Sequence, residues 1–217
     1  MTIDAAPAEG TPWPEEVLAQ ASGTAKPEPP RGGQTFESLH AAQRRFNDLL
    51  SGAVPSQDLA ERITAQLASF GDELASLQVR EGQRWDGWRG DLPGRGHPFL
   101  PPYVITGQTD STLTATVRFT RFFLGGNGAA HGGSQPAVFD DMLGRCVSHY
   151  QQGVARTAFL KVNYRKVTPI DTDLTVEVSV DEVDGRKRWC SGRMYNPAGE
   201  LVSDCEALFL ALLPGQP

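Results

Sequence analysis

Phe122-Phe-Leu-Gly-Gly-Asn-Gly-Ala-Ala-His-Gly-Gly133, followed directly by Ser134-Gln-Pro-Ala-Val-Phe-Asp-Asp-Met-Leu143, is the stretch that decides the fold. Five glycines lie just ahead of a helix signal. Ser134 stands at the N-cap position, Pro136 falls in the first turn, and Val138, Met142, Leu143 and Val147 form an apolar stripe running toward Tyr150. On either side the period changes from helical to two. Leu113 to Phe119 is apolar at every second residue, and Leu174, Val176, Val178 and Val180 alternate with Thr175, Glu177, Ser179 and Asp181.

Working outward, Asp184-Gly185 marks a tight hairpin, Arg186 to Tyr195 a strand, Asn196 to Gly199 a turn, and Leu201 to Leu212 a last strand. Thr157 to Tyr164 is a further strand after the helix. Strands joined by hairpins around one helix give an antiparallel sheet wrapped around that helix, an α+β fold. Upstream, residues 1–33 are rich in Pro, Ala, Gly and Glu and read as a disordered tail. Residues 34–94 read as a helical extension and connection. Leu39, Phe46, Leu49 and Leu50, then Leu59, Ile63, Leu67, Phe70, Leu74 and Leu77, recur at helical spacing on either side of a break at Gly52 to Ser56. This helix pair is expected to pack as a cap. Trp85 and Trp88 mark the segment after Arg80 as an ordered connection. Residues 95–217 form the sheet-and-helix domain.

A net charge of −6 argues against nonspecific nucleic-acid binding. No run reaches the roughly 18 apolar residues of a membrane span, and the start lacks a secretory signal. Cys146, Cys190 and Cys205 are odd in number and far apart, as free thiols in a reducing cytoplasm would be; no metal site and no cofactor are expected. Gly126-Asn-Gly128-Ala-Ala-His131 lacks the third glycine of a dinucleotide fingerprint and its parallel context. Gly132-Gly-Ser-Gln-Pro136 is not a nucleophile elbow. What is left is a glycine turn whose free N–H groups suit an anion or a polarised carbonyl oxygen, beside two acids. Asp140 and Asp141 point roughly 100° apart on a helix, so at most one faces a shared inner site. His131 is more readily an orienting hydrogen-bond partner than a base.

The segment His131-Gly-Gly-Ser-Gln-Pro-Ala-Val-Phe-Asp140 resembles the H-G-G-x(6)-D signature of hot-dog fold thioesterases of the phenylacetate-pathway (PaaI-like) group, and looks closest to the branch that holds human mitochondrial acyl-CoA thioesterases. Phe123-Leu-Gly125, Arg156-Thr-Ala158 and Asn163-Tyr-Arg165 extend the likeness over roughly residues 95–212. The resemblance implies acyl-CoA hydrolysis, with Asp140 as general base or nucleophile and the Gly132 N–H, next to Gly133, on the thioester oxygen. It also implies that the Thr157 hydroxyl holds the water or acyl group. Some relatives carry an Asn six residues before the His as a second carbonyl donor; this chain has Gly125 there, and Asn127, nearby but out of register, is the substrate-binding candidate in its place. Arg165, Lys166 and Arg186 to Arg188 are the candidates for the phosphates of CoA. Gly132 and Asp140 are eight residues apart, roughly 12 Å along a helix, so one helix cannot bring both to one carbonyl. The site therefore calls for a two-fold homodimer, itself able to pair into a dimer of dimers. A noncatalytic acyl-CoA-binding domain is the main alternative; a hot-dog dehydratase and an interaction module are the others.

Overall fold

The computed structural model describes residues 30–151, 153–213 and 216, so the expected tail falls mostly outside the described residues. Two helices come first, α1 (Gly33–Ser51) and α2 (Gln57–Ala75). Between them Gly52 and Pro55 stop the helical run, and the Ser56 hydroxyl restarts it by accepting the Leu59 N–H at 3.3 Å. The strands β1 (Tyr103–Gln108) and β2 (Thr112–Arg118) follow, then a two-stranded ribbon of β3 (Leu124–Gly126) and β4 (Ala129–Ala130). After helix α3 (Ser134–Gln151) come β5 (Ala155–Tyr164), β6 (Asp173–Asp184), β7 (Lys187–Tyr195) and β8 (Leu201–Ala211).

Six strands make one antiparallel sheet in the order β1-β2-β6-β7-β8-β5, which leaves β5 at an edge. The sheet curls over α3. Val138, Phe139, Met142, Leu143, Cys146 and Val147 of the helix are fully buried against the inward alternation of the strands, Leu174, Val176 and Val178 in β6 and Val202, Cys205 and Phe209 in β8. Phe139 lies so close to β7 that a Cβ on Gly192 would meet its ring at 2.9 Å. This is the antiparallel sheet around one helix expected from the period changes, and the hot-dog architecture that the resemblance implies.

Three expectations change. Ser134 is not an N-cap: it is the first helical residue, and its hydroxyl donates to the His131 carbonyl at 2.6 Å instead of accepting from the helix. The helix pair is not a cap over the sheet. α1 buries Phe36 and His40 against the 85–100 connection, whereas no residue of α2 is buried. Arg188 is not a free surface cation, because it lies on the inner face of β7 and donates to the carbonyls of Gly185 and Lys187.

The 85–100 connection is ordered by cations. Arg89, buried, holds Asp91 with two bonds of 2.8 Å and donates to the carbonyls of Arg31 and Gly33. Arg44 of α1 donates to the carbonyls of His97 and Leu100. The connection in turn lies against α3, where Arg95 meets Asp141. No helix among the described residues is long and apolar enough to cross a membrane.

Candidate active site

The glycine turn closes through its backbone. The His131 N–H donates to the Phe123 carbonyl at 2.7 Å and the Ala130 N–H to the Thr168 carbonyl at 2.8 Å. A Cβ at Gly125 would sit 2.8 Å from His131 Cα, backbone that cannot swing aside. That close approach is the physical reason for glycine at the position where some relatives carry Asn. Asn127 stands exposed at the tip of the ribbon with φ of 49°, in the left-handed region that Asn tolerates.

Each polar group of the turn has a separate task. The His131 ring accepts the Gly133 N–H on Nδ1 at 3.0 Å. The Tyr164 hydroxyl, at the end of β5, donates to the Gly132 carbonyl at 2.7 Å. These two bonds hold the Gly132–Gly133 peptide from both of its polar ends. The Gly132 N–H itself meets no acceptor among the described residues, and it lies at the positive end of an 18-residue helix. Gly133, expected beside it as a carbonyl partner, already spends its N–H on His131. Tyr164 is the residue that reading the sequence for chemistry missed. Its one signal is the likeness over Asn163-Tyr-Arg165, which gives it no role.

Two turns along α3, the neighbouring acids part company. Asp141 turns toward the connection, accepting from Arg95 Nη2 at 2.5 Å and from the hydroxyl of Tyr103, to which Arg145 donates at 3.0 Å. Burial, with the Asp141 charge adding to it, holds the Tyr103 phenol above its ordinary value, so it stays a donor. Asp140 turns the other way and meets the Thr157 hydroxyl on β5 at 2.7 Å. A bulge between Thr157 and Phe159 sets that strand's register and leaves Thr157 on the helix side. Asp140 is exposed in the single chain. The sheet covers one side of α3, and Asp140 lies on its border beside edge strand β5.

The cations expected near phosphate are occupied. Arg165 pairs with Asp204 at 2.5 Å and Lys166 with Glu200 at 2.6 Å. Arg186 holds the Ala211 carbonyl and Gln216. The structure brings together Asp140 with Thr157, and His131 with Gly132, Gly133 and Tyr164; Arg165 and Lys166 belong to neither group.

Comparison with known proteins bears on this arrangement. No family model matches the chain. Acyl-coenzyme A thioesterase THEM4 of Mus musculus is 31% identical over 91 residues, 42% of this chain and 39% of the relative. The Bos taurus protein of that name is 27% identical over 114 residues, 52% of this chain and 46% of the relative. The chain thus spans less than half the length of these curated relatives. Among solved structures, the crystal structure of a thioesterase superfamily protein superposes with a TM-score of 0.68 at 28% identity, covering 83% of this chain and 97% of the other. That is more of this chain than residues 95–217 could supply, so the match reaches into the N-terminal extension. With a six-stranded antiparallel sheet around one helix and a shared likeness of that extent, the chain has the hot-dog fold and is similar to proteins of the thioesterase superfamily.

Proposed function

We propose that the protein is a PaaI-like acyl-CoA thioesterase that hydrolyses an acyl-CoA to the free acid and CoA, in a site completed by a second copy of the chain. The observation that carries this reading is the division of labour on α3. Asp141 is locked away by Arg95 and Tyr103, while Asp140 is left exposed and oriented by one hydroxyl. A carboxylate with no cation on it among the described residues, and an unengaged N–H at a helix start, are the parts of an acyl-transfer site.

In the proposed reaction the thioester oxygen accepts the Gly132 N–H of one copy, with the helix dipole behind it. Asp140 of the other copy removes a proton from water as the water oxygen attacks the carbonyl carbon. The tetrahedral oxyanion gathers on Gly132 N–H, the C–S bond breaks, and the CoA thiolate takes the proton back from Asp140. Attack by Asp140 itself, through an anhydride that water then opens, uses the same groups. His131 keeps the turn in shape through Gly133, and Thr157 keeps the carboxylate aimed. The second copy answers the separation of Gly132, in the turn ahead of the helix, from Asp140, six residues or about 9 Å along it from Ser134. The edge position of β5 and the exposure of Asp140 fit a partner there. Three free, buried thiols fit a reducing compartment such as the cytoplasm.

The test is release of CoA from short-, medium-, long-chain and aromatic acyl-CoAs by the wild type and by Asp140→Ala. A fall of at least about 10²-fold in turnover, with assembly and melting temperature kept, is the expected result. Binding of acyl-CoA by both proteins without turnover by either would establish a noncatalytic binding domain instead. Equal turnover by both would remove Asp140 from the mechanism.

A further inference from the structure

Helix α2 keeps a complete apolar stripe that is left exposed among the described residues. At 100° per residue Leu59, Ile63, Leu67, Phe70 and Leu74 fall within an arc of about 80°, the alignment of a core-facing stripe. Yet Leu67 is 52% exposed, Phe70 59% and Leu74 56%. Helix α1 is two-sided. Phe36, His40 and Arg44 face the connection, and a second side carries Leu39, Phe46, Leu49 and Leu50, with Leu39 58% and Leu49 55% exposed. Neither helix covers the other's stripe. Helices in proteins draw most of their stability from packing an amphipathic face, so a partner for α2 is expected.

We propose that the partner is a second copy of this chain: the α2 stripe of one copy packs on the outer α1 stripe of the other, and the reverse contact forms by symmetry. Three observations select this occupant. Each chain presents both stripes, on helices of equal length, so a two-fold contact satisfies both at once. Leu39, Leu49, Leu50, Leu59, Leu67, Phe70 and Leu74 are all exposed on these two helices. At roughly 100 Å² each they offer about 700 Å² per copy, close to one partner's share of a standard stable interface. Charge excludes the simpler pairing of α2 with itself. Asp58, Glu61, Asp72 and Glu73 outnumber Arg62, so two such helices repel side by side. α1 balances Glu37 and Asp48 with Arg44 and Arg45, and its Arg45 is exposed beside the stripe.

Cross-linking decides it. The native Cys146, Cys190 and Cys205 are buried, with thiols pushed up to about 11, 12 and 12, so an introduced surface cysteine is the one that reacts. Full-length chains carrying Leu49→Cys and chains carrying Leu67→Cys, distinguished by size, are co-expressed and mildly oxidised. The expected product is a heterodisulfide that predominates over both homodisulfides and disappears when Phe70→Glu and Leu74→Glu are added, while CoA release persists. Absence of the heterodisulfide overturns the proposal. So does an internal disulfide at monomer mass in a chain carrying both cysteines, which would mean that the hairpin closes on itself. Neither outcome touches the Asp140 test, so this proposal and the hydrolase reading fail separately.

Discussion

Thr157 reaches Asp140 with a single hydroxyl, and that contact sets what the carboxylate can do. A hydrogen bond to a charged group contributes about 1.5–3 kcal/mol, and here it also fixes which way the carboxylate points. If Asp140 acts in the transition state, replacing Thr157 with Val should lower kcat for CoA release roughly 10- to 100-fold. KM should stay nearly constant, and Thr157→Ser should recover most of the loss. A Val variant with full kcat would reduce Thr157 to a strand residue. Asp140, Gly132 and Thr157 were singled out through the resemblance, whose signature sets nine residues from His131 to Asp140 and adds the start of the next strand. Tyr164 was not legible. Its contact with the Gly132 carbonyl joins two elements 32 residues apart, and no periodicity reports such a contact. The Gly125 substitution was visible as a departure, but its cause, the His131 backbone at 2.8 Å from a would-be Cβ, exists only in the folded turn.

Helix α3 separates its two acids by rotation, and the contacts of Asp141 keep that rotation in place. Asp141 is mostly buried between Arg95 and Tyr103, with Arg145 bonded to the same phenol. Removing one charge from such a pair leaves the other uncompensated, at about 3 kcal/mol. Asp141→Asn should therefore lower the melting temperature and, by loosening α3 against the connection, lower kcat more than it changes acyl-CoA binding. An unchanged melting temperature would mean that α3 is held by its apolar stripe alone. At this scale the sequence was most informative where burial is one-sided. β2, β6 and β7 alternate cleanly because one face meets α3 and the other meets solvent. β1 gave no such signal, since its register shifts at Gly107 and its outward residues include the half-exposed Val104. Helical spacing found α1 and α2, but periodicity reports that a stripe exists and not what covers it; hence the cap that the structure does not show.

In the whole molecule the helical extension reaches the 85–100 connection through Arg44 of α1, and the group beside that arginine is sensitive to pH. His40 is buried in α1, where its Nε2 accepts from Arg44 Nε at 3.0 Å. Burial first, then the charges of Arg44 and Arg89, lower its pKa from 6.5 to about 4. The unfolded chain therefore takes up a proton below pH 6.5 that the folded chain refuses until about pH 4. Stability from this site is complete above 6.5, falls as pH drops through the window from 6.5 to 4, and changes no further below it. At about 1.4 kcal/mol per unit the loss amounts to at most about 3.5 kcal/mol. Arg44 itself is pushed down by burial to about 10 and stays charged throughout, so the titration belongs to the histidine. Protonated His40 would also lose its role as acceptor and leave two cations face to face, which should loosen α1 before the sheet gives way. His97, lowered in the same direction by burial, adds a slope of the same sign in every variant. The comparison to make is the melting temperature of wild type and His40→Gln from about pH 7.5 to about pH 4.5, a range that spans most of this window. Gln keeps an acceptor for Arg44 but has no proton to gain, so its curve should be flatter over that window and cross the wild-type curve as pH falls. Parallel curves would place the acid sensitivity elsewhere and leave the α1 contact a passive one.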